Sequence, residues 1–354
     1  MAPRVTVIIP NWNGKELLSL CLSSLREQSF RAFQAFVVDN GSTDGSASFI
    51  TRNFPEVQLL ALGENRGFSA AANAGIRASR SEYVALLNND TEVDRRWLQK
   101  LIEAAEGAPS EVGLFASKML DFDNRRILDG AGDALRRSGL PYRLGHQELD
   151  RGQYDAPASV FGVCAAAALY RREVFDEVGL FDEDFFAYCE DGDLSFRAQL
   201  AGYRCLYVPE ATVYHVGGAS TGGKRSPAAT QLGTQNSLNL LVKNLPAPLI
   251  LGSLPLIVAG QLSRLLVSSV SPSRLWAHLG GITGALRLLS RMLQKRKEIQ
   301  KRQRASNDYI GQLLQRSSRQ AAVSLRRRVQ DQLRLRLRDW SDRFAAFCTL
   351  RSSG

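Results

Sequence analysis

The sequence is poor in residues that build covalent frameworks. Five cysteines, Cys21, Cys164, Cys189, Cys205 and Cys348, are scattered over 354 residues with no CxxC pair. An odd, unpatterned set argues against a disulfide scaffold and fits a reducing compartment. Histidine is confined to His146, His215 and His278. Lysine is scarce, with arginine outnumbering it 37 to 8, a bias that says little about function. No internal repeat is evident, and Met1-Ala2-Pro3-Arg4 passes straight into a strand-like run instead of a signal peptide. The longest apolar stretch, residues 248–262, is interrupted by Pro255 and followed by Arg264. It falls short of the ~20 residues a spanning helix needs.

What is present is an ordinary globular balance, 44% apolar and 23% charged, which excludes a wholly disordered chain. The net charge of +10 is unevenly spread. Residues 231–354 hold 21 basic against 5 acidic groups, whereas the first 230 hold 24 against 30. The length and this asymmetry predict two units with different partners, residues 1–235 and a basic helical extension, 236–354.

Short β-branched or apolar runs alternate with helical spacing in the first unit. Strands are expected at Val5–Ile9, Ala35–Val38, Val57–Leu60 and Tyr83–Leu87, each ending in a polar loop. Helices are expected at 15–28 and 70–78. This alternation predicts an α/β fold, a mostly parallel, doubly wound sheet. Ligands of such sheets bind beyond the carboxyl ends of the strands, so the loops at Asn11, Asp39, Asn65 and Asn88 should converge on one crevice. Residues 121–157, rich in Gly, Asp and Arg, read as a surface excursion, and a helix is expected from Leu194 to Ala201.

Seven strings, in order over residues 4–222, resemble the family 2 glycosyltransferases of the GT-A fold and their rhamnosyltransferase-like branch. They are Val7–Asn13, Val37–Ser46, Glu64–Phe68 with Asn73–Gly75, Leu86–Val93, Gly179–Phe186, Glu190–Arg197 and Tyr214–Ser220. The resemblance implies inverting transfer of a sugar, rhamnose favoured, from a dTDP- or UDP-sugar to a lipid-linked or glycan acceptor in bacterial cell-surface glycan synthesis. It also implies a divalent cation, Mg2+ or Mn2+, and a peripheral position on the cytoplasmic side of the inner membrane.

By the resemblance, Asp39 reads the uracil or thymine edge, with Pro10, Asn11 and Asn13 lining the pocket and Asn89 beside them. Asp-Asn-Gly-Ser is equally a turn, and Asp39 could cap the next helix. Arg66 is a phosphate or ribose contact, and Gly67 either lets backbone approach the ligand or permits close helix packing. Asn88-Asn-Asp90 stands where the family carries a DxD metal motif. Only Asp90 is charged there, so Asp90 and His215 are the metal-ligand candidates, His215 having a structural alternative. An inverting transfer needs a carboxylate that deprotonates the acceptor hydroxyl. The resemblance selects Asp191, with Glu190 as its supporting neighbour, although all three acids of Glu190-Asp191-Gly-Asp193 also suit a helix start. Asp193 is read as the cap. Among Phe181, Phe185, Phe186 and Tyr188, core is expected for most and acceptor contact for Tyr188.

The basic extension reads as broken apolar helices over 247–270, a cationic cluster at Arg291, Lys295, Arg296, Lys297, Lys301, Arg302 and Arg304, and a last helix over about 307–348. An apolar stripe of Ile310, Leu314, Ala321, Leu325, Val329, Leu333, Trp340, Phe344 and Phe347 beside arginines suits an anionic membrane surface. The alternative is packing on the catalytic unit or on a second copy in a homo-oligomer. No nucleic-acid recognition module is visible. A sugar nucleotidyltransferase would show a Gly-rich phosphate loop after the first strand, which Pro10–Gly14 is not, and a non-catalytic nucleotide-sugar-binding scaffold would not need Asp90 and Asp191.

Overall fold

The structure, a computed structural model, describes residues 2–217 and 226–352, with side chains through residue 334. Residues 218–220 of the Tyr214–Ser220 string lie outside the described residues, as do the side chains of Trp340, Phe344 and Phe347. Strand β1 (Val5–Asn11) is the β-branched run expected at the N-terminus and pairs in parallel with β2 (Phe33–Asp39), which sets Asn11 beside Asp39. Strand β3 (Gln58–Ala61) extends that side, and β4 (Tyr83–Leu87) pairs in parallel with the opposite edge of β1. The chain thus leaves β1 in one direction and returns on the other side. The reversal opens a crevice between the carboxyl ends of β1 and β4, where open α/β sheets take ligands.

Beyond β4 the sheet continues through antiparallel β11 (Ala167–Arg171) to β6 (Val112–Asp121), β12 (Arg204–His215) and the short β10 (Ala158–Val160). Strand β5 (Thr91–Val93) pairs with the end of β12, which brings His215 beside Thr91. Strand β12 unites two segments that the sequence separates, and its register shifts between Val208 and Thr212 absorb the break. Helices cover both faces, as a sheet with apolar residues on both sides requires. Helix α1 (Lys15–Arg26) buries Leu18, Cys21, Leu22 and Leu25 at helical spacing, and α4 (Trp97–Gly107) buries Trp97 and Leu101 on the same face. Helix α3 (Gly67–Ala78) lays its small residues Ala71 and Ala72 on the other face, with Phe175 of α5 (Arg172–Val178) and Leu194 and Ala198 of α6 (Glu190–Leu200).

A third core joins α6 to the C-terminal helices. Phe185, Phe196 and Leu200 pack with Leu240 and Leu241 of α7 (Pro227–Asn244), Met292 of α9 (Pro272–Lys301) and Ile310 and Leu314 of α10 (Asn307–Ser352). Helix α10 takes the packing alternative along its first turns, although Val329 and Leu333 are half exposed at 50% and 55%.

Two expectations are corrected. Residues 121–157 are no loose excursion: β7 (Leu128–Ala131) pairs with β6, and the hairpin β8 (Asp133–Leu135)–β9 (Pro141–Arg143) lies beneath α10. Ser317, Ser318 and Ser324 of α10 accept from the N–H groups of Leu135, Arg137 and Gly145, and Asp331 accepts from Leu149 N. The apolar stretch is not broken at Pro255. Helix α8 (Ala247–Ser268) runs through it, because proline already holds a helical φ and forfeits one hydrogen bond. Among the described residues, α8 is the one helix long and apolar enough to cross a membrane, at 22 residues, by length and composition only. Most of the basic cluster stays exposed, Arg291, Lys297, Lys301, Arg302 and Arg304 among it, although several members have partners. Arg291 and Lys295 pair with Asp184 and Asp182, Arg304 pairs with Glu177, and Arg296 donates to Val242 O.

Candidate active site

The polar loops at the strand ends do converge, on a cavity of about 970 Å3. Asn11 is buried at its floor; its Nδ2 donates to Ser42 Oγ at 3.2 Å and to Asp39 Oδ1 at 3.4 Å, and its Oδ1 accepts from Asn89 Nδ2 at 2.7 Å. That Asn11–Asn89 pair spans the switch point. It needs Gly14, whose added Cβ would lie 2.1 Å from Asn89 Nδ2. Asn13, at φ 50°, holds the neighbouring loop by accepting from Thr43 N. Asp39 does not cap α2 (Ser46–Asn53): it accepts from Ser42 N at 3.2 Å, and Asp44 serves the helix start instead. Pro10 and Asn11 line the cavity together with Trp12, a residue the sequence reading passed over although an aromatic in a strand-end loop is a visible signal.

Gly67 lines the cavity, whereas Arg66, which is exposed, stands outside its lining together with Asn13 and Asp39. Gly67 adopts φ +84° and its added Cβ would lie 2.6 Å from both Phe186 Cδ2 and Phe186 O, so its freedom serves contact with a loop of its own chain. That loop, Phe186–Cys189, carries Phe186, Tyr188 and Cys189 at φ 40°, 72° and 66°. Asn236 of α7 fastens it, its Nδ2 donating to the carbonyls of Phe185, Ala187 and Tyr188 at 2.8, 2.9 and 2.9 Å. Phe181 and Phe185 are core, Phe186 is 42% exposed, and Tyr188 lines the cavity.

Asp90 and His215 meet at the ends of β4 and β12. Asp90 Oδ2 accepts from Gly217 N at 3.1 Å, while buried Asp90 Oδ1 lies 3.2 Å from His215 Nε2 without forming a hydrogen bond. Burial opposes the charge of Asp90, but His215 and the Gly217 N–H outweigh it and hold the carboxyl below its usual range. His215 Nδ1 is fixed by Asp129 Oδ2 at 2.7 Å. Burial disfavours its imidazolium, yet Asp129 and Asp90 on either side raise its pKa above the ordinary value. Asp90 Oδ1 and His215 Nε2, 3.2 Å apart, are spaced as two adjacent ligands of one cation, and Asp129 already orients the ring through its other nitrogen. Asn88 Nδ2 lies 3.5 Å from the same Nε2.

Asp191 sits in the first turn of α6, which starts at Glu190, four residues before the expected Leu194. Its Oδ2 accepts from Ala165 N at 3.2 Å and its Oδ1 from Gly192 N at 2.7 Å. Its carboxylate also groups with Asp133 and the Cys164 thiol, all within 4.8 Å. Burial and then the charge of Asp191 push the Asp133 carboxyl up to about 7. Glu190 is buried with Oε2 unpartnered, and burial followed by the Asp191 charge raises its pKa well above the carboxylate range. Burial and the neighbouring carboxylate thus favour the protonated form of Glu190. Asp193 is not a cap: fully buried, it joins Arg197 at 2.9 Å and Lys243 and Asn244 of α7 at 2.8 Å. Arg143 bridges the two carboxylate groups, donating to Asp129 Oδ2 at 2.9 Å and lying 3.8 Å from Asp133 Oδ1. Sequence reasoning missed Asp129, Asp133, Arg143 and Asn236, none of which sits in a recognisable string.

The sheet with its switch-point crevice, the paired Asp90 and His215, and the carboxylates on α6 define a glycosyltransferase of the GT-A fold. Solved structures agree in fold. A mannosyltransferase from Pyrobaculum calidifontis, in complex with GDP-mannose and Mn2+, matches with TM-score 0.51 at 19% identity over 91% of this chain and 87% of its own. S. aureus TarS 1–349 matches with TM-score 0.52 at 15% identity over 84% and 90%. Residues 6–179 match the family model described as Glycosyl transferase family 2, so this part of the chain is a domain of that family. Among its curated relatives, the N-acetylglucosaminyl-diphospho-decaprenol L-rhamnosyltransferase of Mycobacterium tuberculosis is 29% identical over 65% of this chain and 80% of its own length. The pre-mycofactocin glycosyltransferase of the same species is 31% identical over 60% and 42%.

Proposed function

We propose that this glycosyltransferase is inverting and moves a sugar, rhamnose favoured, from a dTDP- or UDP-sugar to a hydroxyl of a lipid-linked acceptor in cell-surface glycan synthesis. The observation that carries the reading is that Asp191 opens into the same cavity as Asp90, His215 and the loop around Asn11. Pro10, Asn11, Asn13, Asp39 and Asn89 hold the nucleotide. Asp90 and His215 hold a divalent cation, Mg2+ or Mn2+, which when bound neutralises charge on the departing diphosphate. Asp191 accepts the acceptor hydroxyl proton as that oxygen forms its bond to the anomeric carbon, and the bond from that carbon to the diphosphate oxygen breaks with its electron pair leaving on the nucleotide. A positioned base of this kind contributes ~10²–10⁴-fold. Neutral Glu190 supports Asp191 without adding a second negative charge, and Tyr188 faces the acceptor.

Placement at the cytoplasmic face of the membrane is supported by the apolar outer surface of α8 and α9, where Leu251, Leu266 and Trp276 are 74%, 70% and 73% exposed. Attraction to anionic lipid is supplied by exposed basic residues such as Arg287, Lys297 and Arg302. The test is a thermal-shift panel of dTDP, UDP and their sugars, with and without Mn2+ or Mg2+, on wild type, Asp90→Ala and Asp191→Asn. A ligand at 100 times its dissociation constant adds about 2.7 kcal/mol. The expected result is a cation-dependent rise that Asp90→Ala loses and Asp191→Asn keeps while losing transfer. Absence of any nucleotide response overturns the reading.

A further inference from the structure

Arg264 is the sole charged residue of α8, a helix whose outer face exposes Leu251, Leu262, Leu266 and Val267. Its guanidinium turns inward. Nη1 donates to Ser237 Oγ at 2.5 Å and Nη2 to Thr234 Oγ1 at 3.1 Å, both neutral hydroxyls of α7, and Thr234 Oγ1 is in turn 3.0 Å from His278 Nδ1. No carboxylate lies within ion-pair distance of it among the described residues. Arg197 and Lys243 meet Asp193, Lys118 meets Asp150 and Arg143 meets Asp129, while Arg171, Arg172 and Arg296 donate to backbone carbonyls. A part-buried guanidinium with only two of its five N–H donors used, and no counter-charge, is a site that an anion completes. Its planar fork matches the oxygens of a phosphate.

Arg264 also lines the catalytic cavity, with Val267 of its own helix and Gly192 and Leu240 of α6 and α7. The same cavity takes in Asp191 and Tyr188. This wall of the cavity therefore carries a cation on its inner side and an apolar, exposed surface on its outer side. We propose that Arg264 is a binding site for the diphosphate of a prenyl-diphosphate-linked acceptor, gripping the acceptor at its phosphates while the lipid chain runs out along α8. The proposal rests on the glycosyltransferase reading. It assigns the diphosphate to the acceptor because the donor diphosphate already has Asp90 and His215 at the ends of β4 and β12.

The experiment uses the full chain and soluble probes. Binding of farnesyl diphosphate and of farnesol is measured by calorimetry on wild type, Arg264→Gln and Arg264→Lys, with the cation-dependent thermal shift by dTDP and UDP run in parallel. The expected result is that farnesyl diphosphate binds wild type at least tenfold more tightly than farnesol. Arg264→Gln abolishes that difference, Arg264→Lys retains part of it, and the nucleotide response is the same in all three. Equal binding of the two probes to wild type overturns the proposal. So does an Arg264→Gln variant that keeps its preference for the diphosphate, or one that loses the nucleotide response in step, which would place Arg264 on the donor. A wild type that binds farnesyl diphosphate through Arg264 yet ignores every nucleotide would overturn the transferase reading and leave the phosphate site standing.

Discussion

Replacing Asn236 by alanine removes the one amide that holds the Phe186–Cys189 loop against α7. The amide has two protons and three carbonyls within 2.9 Å, those of Phe185, Ala187 and Tyr188. A net hydrogen bond contributes ~0.5–1.5 kcal/mol, so the loss should be about 1–3 kcal/mol of stability. The loop it restrains has three non-glycine residues at positive φ, Phe186, Tyr188 and Cys189. Each such conformation costs of order 1–3 kcal/mol and persists only where the surroundings impose it. Without the clamp the strain exceeds what remains to oppose it, and the loop relaxes. Tyr188 and the start of α6, and with them Asp191, then leave the cavity wall. Activity should therefore fall further than stability, by at least tenfold in kcat/KM for the acceptor, with a melting midpoint lowered by a few degrees. Asn236→Asp should be worse than Asn236→Ala, because it keeps the shape but sets a carboxylate against three carbonyl oxygens. Scanning calorimetry and nucleotide release on both variants decide the matter. A wild-type rate in Asn236→Ala, or an Asn236→Asp variant more active than it, refutes the reasoning.

Gly67→Ala should destabilise by about 2 kcal/mol or more, since the left-handed backbone alone costs ~1–2 kcal/mol and the new methyl would meet Phe186 O at 2.6 Å. An unchanged urea midpoint would show that the Gly67–Phe186 contact is not made. Glu190→Gln should flatten the pH dependence of stability. The folded chain keeps a proton on Glu190 that the unfolded chain releases above its ordinary value of 4.5, so wild-type stability falls as pH rises beyond that point. The glutamine variant should be the more stable protein at pH 8. Melting curves that run parallel from pH 5 to 8 would contradict a neutral Glu190.

The first four strands and the loops at their ends are legible because local signals agree there. Val5–Ile9 is β-branched and closed by Pro10, and each later strand ends in Asn, Asp or Gly at the same edge of the sheet. Asp90, Asp191 and His215 lie in strings specific enough to single out. The residues around them were hidden for a physical reason. Asp129, Asp133 and Arg143 sit on strands three or four residues long, too short for periodicity to register, and the hairpin that carries Asp133 and Arg143 is held by α10, some 180 residues on. Asn236 and Arg264 act across helix contacts that no local pattern encodes. Asp193 misled because an acid at a helix start has a capping role by default, whereas its partner Lys243 lies fifty residues away.

The serine ladder of α10 has a consequence for how the molecule comes into being. Domains tend to fold from the N-terminus while synthesis is still under way. The strands that carry Asn11, Asp39 and Asp90 can form early, but Leu135, Gly145 and Leu149 find their acceptors only when Ser317, Ser324 and Asp331 have left the ribosome. The nascent chain thus acquires its switch-point crevice well before the β8–β9 hairpin settles beside it. Premature termination between α9 and α10 would leave a crevice open on one side, with the arginine that steadies Asp129 untethered.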